Sequence, residues 1–461
     1  MIRKKIQIAL VMMCLALFPL YGQKQTPPEG GKPKNFTLPE IENFKLDNGL
    51  QVSMVHYGIL PKASLQLVLR VGNINEKPDE VWLADLTGDM LKEGTTTLTS
   101  RQIAEKAADM GGSVDVSVGP DQMNMGGSVL QEFAPDMVQL MADMVEHPAF
   151  PETEIGRLKK NMLRRLTVQK NQPRSQAIEK FDAVLYGDHP YGRIFPTPTM
   201  INSYDLQKVK AFYLANYGAK RAHLYIVGKF DGPAVRKAVE AAFKDWKPGP
   251  DPFILKPSPK SEKKVYLIDR PGAPQSTIYL GLPVADPSSP DFLPLMVMNN
   301  LLGGSFASRI TSNIREDKGY TYSPHSQVTT HYRDAYWLEV ADVTTKFTGP
   351  SLKEIFYEIK RLQQEPPSAE ELKGIQNYMA GTFVLRNSNP GSIINQLAFM
   401  NLHGLDASYL RDYVKNVYAV TPEQVQEMAR RYLKTDRMTI VVVGDKKVVK
   451  RQLRPYGKIV L

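Results

Sequence analysis

Two stretches of this chain, Ala222-His-Leu-Tyr-Ile-Val-Gly228 and Met438-Thr-Ile-Val-Val-Val-Gly444, repeat each other at a spacing of 444 − 228 = 216 residues. The same shift carries Asp205 onto Thr421, each ahead of a helical pattern, and Pro151 with Asn161 onto Pro367 with Asn377. Near the start of each half the shift is slightly smaller, 274 − 61 = 213, with Pro61 matching Pro274. Recurrence at one spacing implies duplication of an α/β unit of roughly 200 residues. A chain of 461 residues is too long for one ordinary core, and two such units account for it.

Each half carries the same kinds of element. Alternating runs at Gln51–Val55, Ser64–Val71, Val265–Ile268 and Thr277–Leu282 predict strands. Helical spacing predicts Asp136–Glu146, with Met137, Leu140, Met141 and Met144 inward, and its counterpart Leu352–Leu362. The methionines read as core rather than as ligands. Ser368 and Glu371 have the spacing of a capping box. Between the halves lies a proline-rich, charged linker beginning Lys247-Pro-Gly-Pro-Asp-Pro. The reading is α+β, with a signal segment at 1–22, a flexible lead at 23–35, a first domain at 36–246, the linker at 247–264 and a second domain at 265–461.

The first residues have their own character: Arg3, Lys4 and Lys5 precede an apolar run from Ile6 to Leu20. Its length falls short of the ~20 residues needed to span a bilayer, so it predicts a secretory signal, cleaved rather than retained as an anchor in the favoured of the two readings, and an exported protein of the periplasm or cell envelope. The one cysteine, Cys14, lies in this segment, so the exported chain has neither a thiol nucleophile nor a thiolate metal site. The net charge of +10 comes with no cluster of basic and aromatic residues, which argues against a nucleic-acid partner.

Two further stretches point to function. Leu301 to Ser323 reads as a glycine loop, a short helix capped by Ser305, and a strand carrying Tyr320 and Tyr322. In that helix Phe306, Ile310 and Ile314 are spaced for burial, and Gly319 supplies the left-handed stop. Arg315 and Tyr322 can then point a guanidinium and a phenol at one spot, both able to donate to a carbonyl oxygen. Alternatively, Arg315 pairs with Glu316 or Asp317 and Tyr322 fills core. Gly111 to Gly127, a glycine-rich hairpin of weak apolar content, predicts a sheet edge, either one that can accept an added peptide strand or a merely exposed hairpin.

Leu-Gly-Gly-Ser-Phe-x-Ser-Arg, with Asn-x-Arg-Glu-x-x-Gly-Tyr-x-Tyr after it, resembles the second-domain motif of the pitrilysin and insulysin type of zinc metallopeptidase, the inverzincins. The resemblance covers the chain from about Phe36 onward and implies two homologous α/β sandwich-layer domains forming a clamshell. It assigns Arg315 and Tyr322 to holding substrate and its oxyanion, and Gly303, Gly304, Ser305, Phe306, Asp115 and Ser117 to binding peptide.

The family holds zinc with His-x-x-Glu-His and a later glutamate. Here the matching helix reads Leu83-Ala-Asp-Leu-Thr-Gly-Asp-Met-Leu-Lys-Glu-Gly-Thr95. Asp85 and Asp89 stand for the histidines, Gly88 for the general base, and Arg165 falls near the third ligand. No two of the seven histidines lie three or four residues apart, so no helical pair replaces the site. Asp85 and Asp89 share a helix face, too few ligands for a strong oxygen site. No Gly-x-Ser-x-Gly elbow nominates a serine nucleophile.

The resemblance therefore implies the non-zinc subunit of a two-chain peptidase. Such a chain holds no cofactor and is inactive alone; zinc is expected in a His-x-x-Glu-His paralogue that shares its peptide substrates. A peptide-holding scaffold of the envelope and a homodimeric chamber are the other readings.

Overall fold

The computed structural model describes residue 37, residues 39–253 and residues 255–461. The predicted signal segment and flexible lead lie outside the described residues. No helix among the described residues is long and apolar enough to cross a membrane.

The first half builds a six-stranded sheet from β1 (Ile41–Lys45), β2 (Gln51–His56), β3 (Lys62–Leu69), β4 (Ser113–Val118), β5 (Met123–Leu130) and β6 (Ala222–Gly228). Its order is β1-β2-β6-β3-β5-β4. The second half uses β7 (Lys264–Asp269), β8 (Gln275–Pro283), β9 (His325–His331), β10 (Asp334–Thr344), β11 (Thr439–Gly444) and β12 (Lys458–Val460), in the order β12-β7-β11-β8-β10-β9. Five strands correspond one to one. The sixth differs in origin, since β1 precedes β2 in the chain whereas β12 comes from its far end.

The duplication is visible in the register. Leu67 faces Leu224 in one sheet and Leu280 faces Ile440 in the other, and 280 − 67 = 213 while 440 − 224 = 216, the two shifts found in the sequence. The strands predicted at Gln51–Val55, Ser64–Val71, Val265–Ile268 and Thr277–Leu282 and the helices at Asp136–Glu146 and Leu352–Leu362 overlap observed ones, and Met137, Leu140, Met141 and Met144 are all buried.

The helices that frame the sheets and the site are α1 (Leu83–Met90), α2 (Ala134–Glu146), α3 (Glu152–Lys170), α4 (Pro173–Tyr186), α5 (Phe292–Asn299), α6 (Thr348–Gln364), α7 (Ala369–Arg386), α8 (Pro390–His403) and α9 (Pro422–Tyr432). Most of each half's helices cover one face of its own sheet, making a large core in each half. The other faces are also apolar and are covered by exchange. From the first half, α4 lays Ala177, Phe181 and Leu185 on Tyr279, Tyr336, Leu338 and Val441 of the second sheet. From the second half, α8 lays Ile393, Ile394 and Leu397 on Val55, Val68, Tyr225 and Val227 of the first.

This exchange explains why β6 and β11 are continuous apolar runs rather than alternating ones: both of their faces are buried. Gly281 makes room for it, because a Cβ there would lie 2.8 Å from Cζ of Phe181. Polar ties cross the same joint. Tyr186 donates to Asp334 at 2.6 Å and Arg174 to Asp342 at 2.8 Å. Asp121, at the tip between β4 and β5, accepts from the Tyr191 hydroxyl and, at 3.2 Å, from the Tyr332 amide. The described residues accordingly form one compact unit.

Candidate functional site

The stretch from Leu301 to Ser323 keeps the expected order of loop and helix but not the expected phase. Helix α5 runs on into a π-helical turn, Asn300–Gly304, and a helical turn at Arg309–Thr311 leads into a second one, Ser312–Asp317. Ser305 is therefore not the helix cap: its hydroxyl is buried without a hydrogen-bond partner, and Ser308 precedes the helix instead. Residues 305–308 are turn and bend rather than helix, so Phe306 lies outside the helical spacing that Ile310 and Ile314 keep. Ile310 and Ile314 are fully buried as expected, whereas Phe306 is 67% exposed. Gly319 closes the segment at φ +62°, as its left-handed role requires. Tyr320 and Tyr322 are not in a strand; only a bridge from Thr321 to Val343 forms, and β9 begins at His325.

Arg315 nevertheless meets Tyr322. Its guanidinium carbon lies 4.9 Å from the Tyr322 ring centre and 4.4 Å from that of Phe306, with Nε 3.1 Å from Glu316 Oε1. The acid neighbour and the aromatic pair thus hold the cation together, and Tyr322 does not fill core: it is 78% exposed. Gly303 is buried under this segment, and a Cβ there would lie 2.6 Å from Ser326 Oγ and 2.8 Å from Glu339 Oε2. At Gly304 a Cβ would lie 2.5 Å from Asn299 Nδ2. Both glycines let the loop settle on the residues beneath it, and Phe306 and Ala307 face solvent.

The glycine-rich hairpin forms β4 and β5, with β4 at the open edge of the first sheet. Asp115 and Ser117 lie on β4 and line a cavity of about 410 Å³ with Gln66, Asn124, and Gly391 and Asn395 of α8. Asp115 is drawn toward Lys92 at 3.4 Å, which also reaches Asp89 at 3.1 Å.

At the degenerate metal positions α1 and α3 do converge. Arg165 places Nη2 2.9 Å from Asp85 Oδ1 and stacks its guanidinium 4.2 Å above Trp82. Asn73 donates to the other Asp85 oxygen at 2.9 Å and to Glu76 at 3.0 Å, and Glu76 also accepts the Ala84 amide at 2.9 Å. Gly88 faces the hairpin so closely that a Cβ would lie 2.7 Å from Val118 Cγ2. A guanidinium bonded to Asp85, a hairpin against Gly88 and a lysine on Asp89 do not fit zinc. Among the described residues no three His, Cys, Asp or Glu side chains converge to hold a metal ion. The sequence offered no sign of Asn73, Glu76 or Trp82; their polar and aromatic types take meaning only once α1 and α3 are packed.

Glu76 gives this network a pH signature. Burial first, then the charge of Asp85, pushes its carboxyl up from 4.5 to about 8. The folded chain keeps a proton that the unfolded chain gives up, so this contribution is fully present below about pH 4.5, is lost through the interval to about 8, and then levels off. Glu76→Gln keeps the acceptor for Ala84 and removes the titration. It is expected to flatten the stability profile by up to roughly 1.4 kcal/mol per unit of pH. Thermal melts from pH 5 to 8 check this, and a gap between variant and parent that stays constant with pH contradicts it.

Comparison with known proteins agrees with this architecture. Residues 57–199 match the profile described as insulinase (peptidase family M16), and residues 203–379 match the peptidase M16 inactive domain. An uncharacterized zinc protease YmxG of Bacillus subtilis is 24% identical over 399 residues, covering 86% of this chain and 96% of that protein. A Helicobacter pylori protein named non-peptidase homolog YmxG is 20% identical, covering 84% and 90%. Among solved structures, a peptidase M16 inactive domain from Pseudomonas fluorescens superposes with a TM-score of 0.80 at 25% identity, covering 88% of this chain and 98% of that one. A protease from Helicobacter pylori gives 0.82 at 20% identity, covering 88% and 100%.

Proposed function

This chain belongs to the insulinase-type peptidase family M16, and on that premise we propose that it is the zinc-lacking subunit of a two-chain peptidase. The observation that carries the reading is a contrast between its two halves. In one, Arg165 is bonded to Asp85 where a zinc ligand set would meet. In the other, Arg315 lies against a phenol that remains open to solvent.

In this reading a His-x-x-Glu-His paralogue supplies the zinc chemistry of peptide-bond hydrolysis. This chain's share is to bind and orient. A substrate strand extends the β4 edge beside Asp115 and Ser117, and Phe306, exposed on the loop that Gly303, Gly304 and Ser305 seat, flanks the peptide. The Arg315 guanidinium and the Tyr322 hydroxyl donate to the carbonyl oxygen as negative charge builds on it. The work takes place in the periplasm or envelope, to which the apolar leader directs the chain.

A second reading, a peptide-holding scaffold without an enzymatic partner, draws on the open β4 edge and its cavity, which need no zinc. Peptide cleavage by the purified chain, by the paralogue and by their mixture, with and without chelator, separates the two. Chelator-sensitive cleavage that needs both chains is the expected result. A stable mixture that cleaves nothing favours the scaffold, and cleavage by this chain alone overturns both.

A further inference from the structure

A cavity of about 720 Å³ lies away from the residues assigned to peptide, and its chemistry is different. It opens between the linker (Pro259 to Glu262), the end of α4 at Val184, the end of β8 at Leu282 and Pro283, and the segment leaving α9. Four cations line it: Lys260, Arg431, Lys434 and Arg437. The carboxylate among its lining residues, Glu262, is already engaged, 2.7 Å from Lys264 and accepting from Tyr266 at 2.8 Å.

Two of the four cations are accounted for by the fold. Arg431 pairs with Asp291 at 2.6 Å, and Lys434 donates to the Arg430 carbonyl at 2.6 Å, a favourable arrangement near a helix C-terminus. Neither reason covers Lys260, which comes from the linker, or Arg437, which lies beyond α9. Among the described residues neither has an acidic side chain within ion-pair distance. All four are exposed, so water screens their mutual repulsion, but the hollow they share keeps a positive potential that attracts an anion.

We propose that this cavity is a binding site for a phosphate-bearing ligand. Arginine forks and lysine ammonium groups together match the several oxygens of a phosphate or diphosphate. The cations surround one hollow rather than forming a strip, which suits a compact, multiply charged group over an extended acidic peptide. Val184, Leu282 and the two prolines give an apolar wall for whatever carries the phosphate. Bound there, the ligand ties the linker to both halves.

Titration calorimetry of the purified chain with pyrophosphate and inorganic phosphate tests the site. Saturable one-to-one binding of at least one probe is expected, weakened at least tenfold by Lys260→Gln with Arg437→Gln and unchanged by Lys450→Gln with Arg451→Gln on another surface. Flotation with vesicles containing phosphatidylglycerol but not with phosphatidylcholine, lost in the first double variant, assigns the phosphate to a lipid headgroup. Pyrophosphate binding without flotation assigns it to a soluble ligand. The proposal is overturned if neither probe saturates, if both double variants weaken binding equally, or if a polyglutamate peptide binds more tightly through Lys260 and Arg437.

Discussion

Tyr322→Phe, and separately Arg315→Ala, is expected to lower turnover of the mixed peptidase by about two to three powers of ten, the usual loss when one oxyanion donor is removed. Tyr322→Phe is the cleaner change: it deletes one hydroxyl from an exposed ring and keeps the face on which Arg315 rests. Arg315→Ala also frees Phe306, so Arg315→Lys belongs beside it as a variant that keeps the charge but loses the planar fork. Steady-state kinetics together with co-purification ratios read the outcome. The loss should fall on kcat while the two chains still associate in the parent ratio. Unchanged turnover in either variant removes these two residues from the chemistry.

Phe181→Ala is expected to destabilise the whole molecule by about 3–5 kcal/mol, because the ring is fully buried and its removal leaves a cavity in the joint. It belongs to the first half but packs on Tyr336 of the second, with ring centres 5.4 Å apart, above the space left by Gly281. Since each sheet borrows a helix from the other half, the damage cannot stay local. One cooperative transition at lower temperature, followed by near-ultraviolet circular dichroism, is the expected result. Two separated transitions, with one half melting as in the parent, would show that the exchange does not couple the halves.

The duplicated plan could be read in the sequence because it is written in doubly buried strands. Ala222 to Gly228 and Thr439 to Gly444 are apolar runs short enough to align by eye and shielded on both faces. The edge position of β4 was also legible, since glycines and polar residues in Gly111 to Gly127 leave little for a neighbouring strand to pack on. The helix exchange was not. The apolar stripes of α4 and α8 announce that each covers a sheet, but a stripe carries no address. Ser305 and Phe306 were misplaced for a different reason: the glycine loop runs on through Ser308 and the helical turn starts only at Arg309, so both lie outside the helix to which their spacing assigns them. Likewise Ser368 accepts the Glu371 amide as expected, but the Glu371 carboxylate holds Arg309 at 2.7 Å instead of completing the capping box. At the degenerate metal positions the sequence placed Arg165 only near the third ligand; packing makes it a partner for Asp85.

The borrowed helices have a consequence for how the polypeptide tolerates being cut. Severing the peptide chain near Pro257 would leave two fragments, each carrying a piece that the other needs to finish its interior. They should stay clasped after cleavage, and neither should be soluble when produced without its mate. Joined in this way, the molecule cannot come apart at its middle without ceasing to be folded.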